Sequence, residues 1–156
     1  RDAKVIACKM AYLKYPRAIS IDEKLLTSRK IGLYNQIFRV TNLHTPGILI
    51  ERNFFIKIGM YENYKFMEDW QLNIKSAFFT KILYIGGEPL AYVFKPFYGY
   101  SGLSSNLISV QKSEIQILRR LYFENSINIL IFFSATILSL IRFSKRVIIT
   151  TLRNTL

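Results

Sequence analysis

Short strand-like runs interleaved with helical patterns predict an α/β chain: a mixed sheet with flanking helices, followed by a separate helical arm. Three observations carry this expectation. The runs Lys4–Tyr12, Ile48–Ile50, Lys81–Ile85 and Leu90–Phe94 are short and apolar, with Pro or Gly turns between them. Trp70, Ile74, Ala77 and Phe78 fall at i, i+4, i+7 and i+8, the apolar face of a helix over 67–80. From Asn125 the composition changes, to 17 consecutive uncharged residues ending at Ile141 and then to cations. With 51% hydrophobic residues in 156, the chain has material for a core, which excludes a disordered polypeptide. The domain organisation expected is 1–107 for the α/β part and 108–156 for the arm.

The elements follow in order. Lys4–Tyr12 reads as one buried strand, broken at Tyr15-Pro16-Arg17 because the residue before proline avoids the helical region. Asp22 is expected to open a helix carrying Leu25, Leu26, Leu33, Ile37 and Phe38, with Gly32 as its weak point. Thr45-Pro46-Gly47 is a turn into the strand Ile48–Ile50. A helical turn over Asn53–Ile58 ends at Gly59, a left-handed cap. Tyr61–Tyr64 is a polar, aromatic loop, and Gly86-Gly87-Glu88-Pro89 turns the chain between two strands. Lys95–Asn106, rich in Gly, Ser and Tyr, is loop, after which Ser113 to Gln116 has the S-x-x-Q spacing of a capping box.

In the arm, Asn128, Ser139, Arg142, Arg146 and Arg153 are spaced 11, 3, 4 and 7 apart and share one helical stripe. That periodicity suits a helix lying in a membrane interface with its cations at the headgroups. A true span, for which 17 residues is at the short limit, and packing on protein are the other readings.

Charge and rare residues exclude several functions. Twenty-two Lys and Arg against ten Asp and Glu give +12 and favour anionic partners, an anionic membrane surface among them. Cys8 is the single cysteine and His44 the single histidine, so no disulfide framework, cysteine-built zinc site or multi-histidine metal cage forms. Cys8 reads as a small buried hydrophobe and His44 as a loop or packed residue. Gly86-Gly87 is a turn and no phosphate cradle. Nucleic acid is the least favoured partner, since the basic residues are scattered and no RNA- or DNA-binding pattern appears.

Asp69 is the candidate for chemistry. Glu68 and Asp69 open a helix after an aromatic loop, and adjacent helical carboxylates point about 100° apart, so one can face a cleft while the other does not. The competing reading is electrostatic, because acids in a first turn offset the positive end of the helix dipole.

The order of short motifs tilts the balance. Gly47 to Phe55 (GILIERNFF), Ile58-Gly59-Met60-Tyr61-Glu62, and Phe66 to Leu72 (FMEDWQL) resemble family 2 glycosyltransferases. There a strand and R-x-x-F lead to G-x-[FY]-[DE] and then E-D-x-x-L. The resemblance runs on through Lys81–Ile85 and Tyr92 to Gly102-Leu103-Ser104, from about Ala3 to Ser104. It implies a partial GT-A-like fold holding the acceptor-side half of an inverting transferase. Its partners would be a nucleotide-sugar donor and a saccharide or lipid-linked acceptor. Asp69 would be the catalytic base, Glu68 would orient the site or bind acceptor, Trp70 would pack, and Tyr92, Lys95 and Ser104 would contact substrate. Surface polysaccharide synthesis at the cytoplasmic face of a bacterial inner membrane is the setting implied.

Two features depart from the family. No Asp-x-Asp occurs, the motif that holds Mg²⁺ or Mn²⁺ against the diphosphate in the complete enzyme. With Arg1 rather than Met first, the chain is expected to be a fragment that starts after that motif. The family's Arg after Tyr92 is Val93 here, leaving Lys95 as the nearest cation, a point charge without a bidentate fork. The alternative function is a catalytically inert, basic membrane- or protein-binding module derived from such an enzyme.

Overall fold

Val5 and Ala7, alternating along β1 (Val5–Cys8), point the same way and are sealed from solvent. They lie at the centre of a mixed sheet in a computed structural model that describes residues 3–14, 20–39, 43–94 and 102–155. The described residues fall into two compact units, one within Arg1–Asn63 and Glu68–Lys95, the other within Tyr64–Met67 and Pro96–Leu156.

The first unit is α/β. β1 pairs antiparallel with β4 (Ile48–Ile50) and parallel with β5 (Ile82–Gly86), and β5 pairs antiparallel with β3 (Thr27–Ile31), giving the order β3-β5-β1-β4. β2 (Met10–Tyr12) and β6 (Ala91–Val93) form a separate parallel pair. The expected single strand over Lys4–Tyr12 is therefore two, divided at Lys9. Its N–H donates to the Ile85 carbonyl (2.9 Å) and its own carbonyl accepts from the Leu90 N–H (3.0 Å). The chain thus leaves β5 for β6 where the Gly86–Pro89 turn separates them.

The helix expected from Asp22 does not form. Asp22 caps only a 3-10 turn over Glu23–Leu25, its Oδ1 accepting the Lys24 N–H at 3.0 Å, and the chain then enters β3. Thr27 and Ser28 are poor helix formers, and the free edge of β5 offers a full ladder from Thr27↔Gly86 to Ile31↔Ile82. The helical pattern resumes after Gly32 in α1 (Leu33–Ile37), where Asn35 Oδ1 accepts the Gly32 N–H (3.2 Å).

The following stretch matches its sequence pattern. Thr45–Gly47 is a 3-10 turn into β4, α2 covers Arg52–Lys57, and Gly59 adopts φ +82°. α3 covers Glu68–Phe79, and Trp70 and Ile74 are buried as expected, while Phe78 is exposed. Val5, Ala7, Ile31, Leu43, Phe54, Ile58, Leu72 and Ile82 form the core that holds α2 and α3 against the sheet.

The second unit contains two helices, α4 (Leu107–Phe123) and α5 (Ile129–Thr155). Ser113 does not cap α4. Asn106 does, accepting the Ser109 N–H at 3.0 Å, so the S-x-x-Q pattern lies inside the helix. Asn128 caps α5 through the Ile131 N–H (2.9 Å). Ile117, Leu118, Leu121, Ile127 and Ala135 are buried beside a polar seam between the helices. There Gln111 donates to Ser139 (2.7 Å), Arg146 donates to Gln111 (3.0 Å) and Glu114 (3.2 Å), and Arg142 donates to the other Glu114 oxygen (3.2 Å). The stripe through Ser139, Arg142 and Arg146 therefore turns toward α4, not outward to headgroups. Glu114, which the spacing of the cations alone does not reveal, draws it there. No helix among the described residues is long and apolar enough to cross a membrane.

Candidate active site

Asp69 sits in the first turn of α3, with its side chain about a quarter exposed. Met67, with φ 62°, turns the backbone immediately before that helix. One oxygen of the carboxylate accepts the Trp70 backbone N–H at 2.7 Å. The other lies 3.6 Å from Nδ1 of His44, beyond hydrogen-bond length but within ion-pair reach. Both side chains keep solvent access, at 37% for His44 and 23% for Asp69, as a group that meets a diffusing substrate must.

The pairing is built from α3 outward. The Trp70 indole N–H donates to the Gln36 carbonyl (2.8 Å), tying the end of α1 to the helix, and the Arg39 guanidinium stands 5.8 Å from the indole ring centroid. One turn beyond Asp69, the buried Asn73 amide donates to the Leu43 carbonyl (3.3 Å). Leu43 is itself in the core, so the residue before His44 is anchored by both its side chain and its carbonyl. Pro46 opens the next turn and fixes the direction of departure.

The motif pieces converge on the same helix. Glu62 pairs with Lys75 of α3 at 3.0 Å, and Phe55 meets Tyr61 edge-on at 5.6 Å. Gly59, left-handed, brings its Cα close to Lys75, where an added Cβ would lie 3.3 Å from Nζ. Gly-Met-Tyr-Glu is thus a turn docked on α3 one element away from the acids.

The remaining sequence-derived residues are dispersed. Glu68 is half-buried beside Asp69. Tyr92 is half-buried on β6, and among the described residues no hydrogen bond or ion pair joins it to Asp69. Ser104 belongs to the 3-10 turn Leu103–Ser105 of the second unit, and Lys95 lies outside the described residues. His44 is the residue that the sequence reading set aside, because it stands 25 positions from Asp69 with no carboxylate nearby in the chain. Its only local signals were its uniqueness and the turn that follows it.

Two further groups bear on chemistry. Burial pushes the Cys8 thiol above its ordinary range, which keeps it protonated and a poor nucleophile. An open depression lined by Lys4, Ile6, Leu49, Ile50 and Glu51 lies at the β1–β4 edge and shares no residue with the Asp69 group. Among the described residues no group of three His, Cys, Asp or Glu side chains is arranged to hold a metal ion. Comparison with family models, with curated proteins and with solved structures finds no match to this chain.

Proposed function

We propose that the chain is the acceptor-side half of an inverting glycosyltransferase of the GT-A type, with Asp69 as its general base. The reading rests on the motif order Arg52–Phe55, Gly59–Glu62 and Glu68–Leu72, and the single observation that carries it is the His44–Asp69 pair. A carboxylate about a quarter exposed, with an imidazole within ion-pair reach and its helix anchored in the core by Trp70, Leu72 and Ile74, is arranged to accept a proton.

In this reading the acceptor is a saccharide or lipid-linked hydroxyl. As its oxygen forms a bond to the anomeric carbon, the bond from that carbon to the donor's phosphate oxygen breaks, and its electron pair leaves with the nucleoside diphosphate. The hydroxyl proton passes to Asp69 as it becomes acidic in the transition state. His44 limits the rotation of the carboxylate, and Glu68 orients the acceptor. Any metal for the diphosphate belongs to a donor half with its own ligands, and no step here passes through it.

The test is transfer in the complete enzyme carrying these residues. Asp69→Asn is expected to lower kcat by about 10²–10⁴ with unchanged donor affinity and far-UV circular dichroism, and Glu68→Gln by less. His44→Gln is expected to fall between them. The 156 residues alone are expected to give no turnover. Equal, small losses for Asp69→Asn and Glu68→Gln would leave both acids as helix-dipole partners and return the chain to the inert binding module.

A further inference from the structure

The second unit places its charges inside and its apolar surface outside. Glu114 is fully buried between Arg142 and Arg146, while the opposite side of α5 presents Leu130, Phe133, Ile137, Ile141, Ile148 and Leu152, each 55–73% exposed. Their spacing of 3, 4, 4, 7 and 4 makes one straight stripe about 33 Å long. A surface of that extent in water marks something that covers it.

We infer that this stripe seats α5 in the plane of an anionic lipid bilayer, with Leu130 to Leu152 among the acyl chains. Three observations favour lipid over a protein partner. The inversion itself is the arrangement of helices in an apolar solvent, where ionisable side chains turn to the helix–helix interior and pair there. The stripe also offers little for a protein to recognise by hydrogen bonds, the hydroxyls along it including those of Ser134 and Ser144. Ser144, between Ile141 and Ile148, already donates its hydroxyl to the Leu140 carbonyl at 3.1 Å. Charge is the third. Residues 107–155 hold Lys112, Arg119, Arg120, Arg142, Lys145, Arg146 and Arg153 against Glu114 and Glu124, and Glu114 is sealed. What remains outward is positive, with exposed Lys145 at the border of the stripe, and complements anionic headgroups. Because no described helix is long and apolar enough to cross, the in-plane seat is the one that fits.

The inference does not depend on Asp69 chemistry and is tested by flotation of the intact chain with vesicles. Vesicles of phosphatidylcholine alone, and of phosphatidylcholine mixed with phosphatidylglycerol, are compared at low and high salt. Binding to both is expected, tighter to the mixture, with salt removing the difference between them but not the binding to phosphatidylcholine. Ile137→Asp and Ile141→Asp, both on the exposed face, should each weaken partition by about tenfold or more with helicity retained by circular dichroism. Leu49→Asp, an equally exposed apolar site in the first unit, should change nothing. Absence of vesicle binding by the unmodified chain overturns the inference, as does equal loss in Leu49→Asp. So does a dimer on size exclusion that dissociates in Ile137→Asp while vesicles are ignored, since a second copy would then be the cover.

Discussion

Asp69 owes its surroundings to the residues one and four positions further along α3. Trp70 binds the Gln36 carbonyl in α1 and Asn73 binds the Leu43 carbonyl, and Leu43 is the residue next to His44. Asn73 is almost wholly buried, and although its Oδ1 accepts nothing among the described residues its amide binds the Leu43 carbonyl, so Asn73→Ala takes that donor away. The expected loss is about 1–3 kcal/mol in urea unfolding, with His44→Gln adding little in that background because the imidazole is already loose. Ser76, one turn nearer the C-terminal end, is an instructive contrast. It is equally buried, yet its hydroxyl makes no hydrogen bond among the described residues. Ser76→Ala removes a desolvated polar group that has no partner, and stability is expected to hold or rise in the same assay. The acids of this site were legible in the sequence, because their place at the start of an amphipathic helix is a local pattern. His44 and Asn73 were not, since what joins them to Asp69 is tertiary packing across 25 residues in one case and an ordinary core position in the other.

Elements were legible where several local signals agreed. The Pro-Gly turn, the three-residue apolar strand, the short helix and its left-handed glycine follow one another from Thr45 to Gly59 as the residues dictate. Between Asp22 and Phe38 the signals conflicted: leucines at helical spacing against Thr27, Ser28 and Gly32. The conflict was settled by something outside the segment, the unpaired edge of β5. The turn beyond β5 shows how tightly that edge is held. Gly87 has φ +82°, and a Cβ there would run into the Leu25 carbonyl oxygen, which is backbone and has nowhere to go. Gly87→Ala should therefore cost more than the roughly 1–2 kcal/mol of the left-handed conformation alone and detach β3 from the sheet. Gly32→Ala meets nothing within 4 Å and has an ordinary φ, and should stay within about 1 kcal/mol of the parent. Thermal unfolding of the pair separates the two cases, and comparable losses would show that loop entropy, not the clash, sets the cost.

At the scale of the whole molecule, the two units solve burial in opposite ways. The first seals an aliphatic core under a sheet and leaves its charges outside. The second seals a carboxylate with two guanidinium groups and leaves leucine, isoleucine and phenylalanine outside. The cations of that seam were legible as a stripe, but one glutamate 28 and 32 residues away from its two partners on α5 decided which way the stripe faced. Glu114 is thus the residue on which the arrangement turns. Glu114→Ala leaves Arg146 buried without its carboxylate, and the expected loss is about 3–5 kcal/mol, seen as an early fall of the helical signal in urea. Removing both charges together is a different perturbation. Glu114→Leu with Arg146→Met keeps the volume of the seam and strands no buried ion, while Arg142 has solvent within reach at 29% exposure. That double variant should recover most of the loss or exceed the parent, because desolvating an ion pair often costs as much as the pair returns. A double variant as unstable as Glu114→Ala would mean that Gln111 and Ser139, left around an apolar seam, carry the penalty instead. The outer stripe is untouched in every one of these variants, so any that keep their helicity should still float with vesicles, and the polarity of the seam and the affinity of the face can be measured apart.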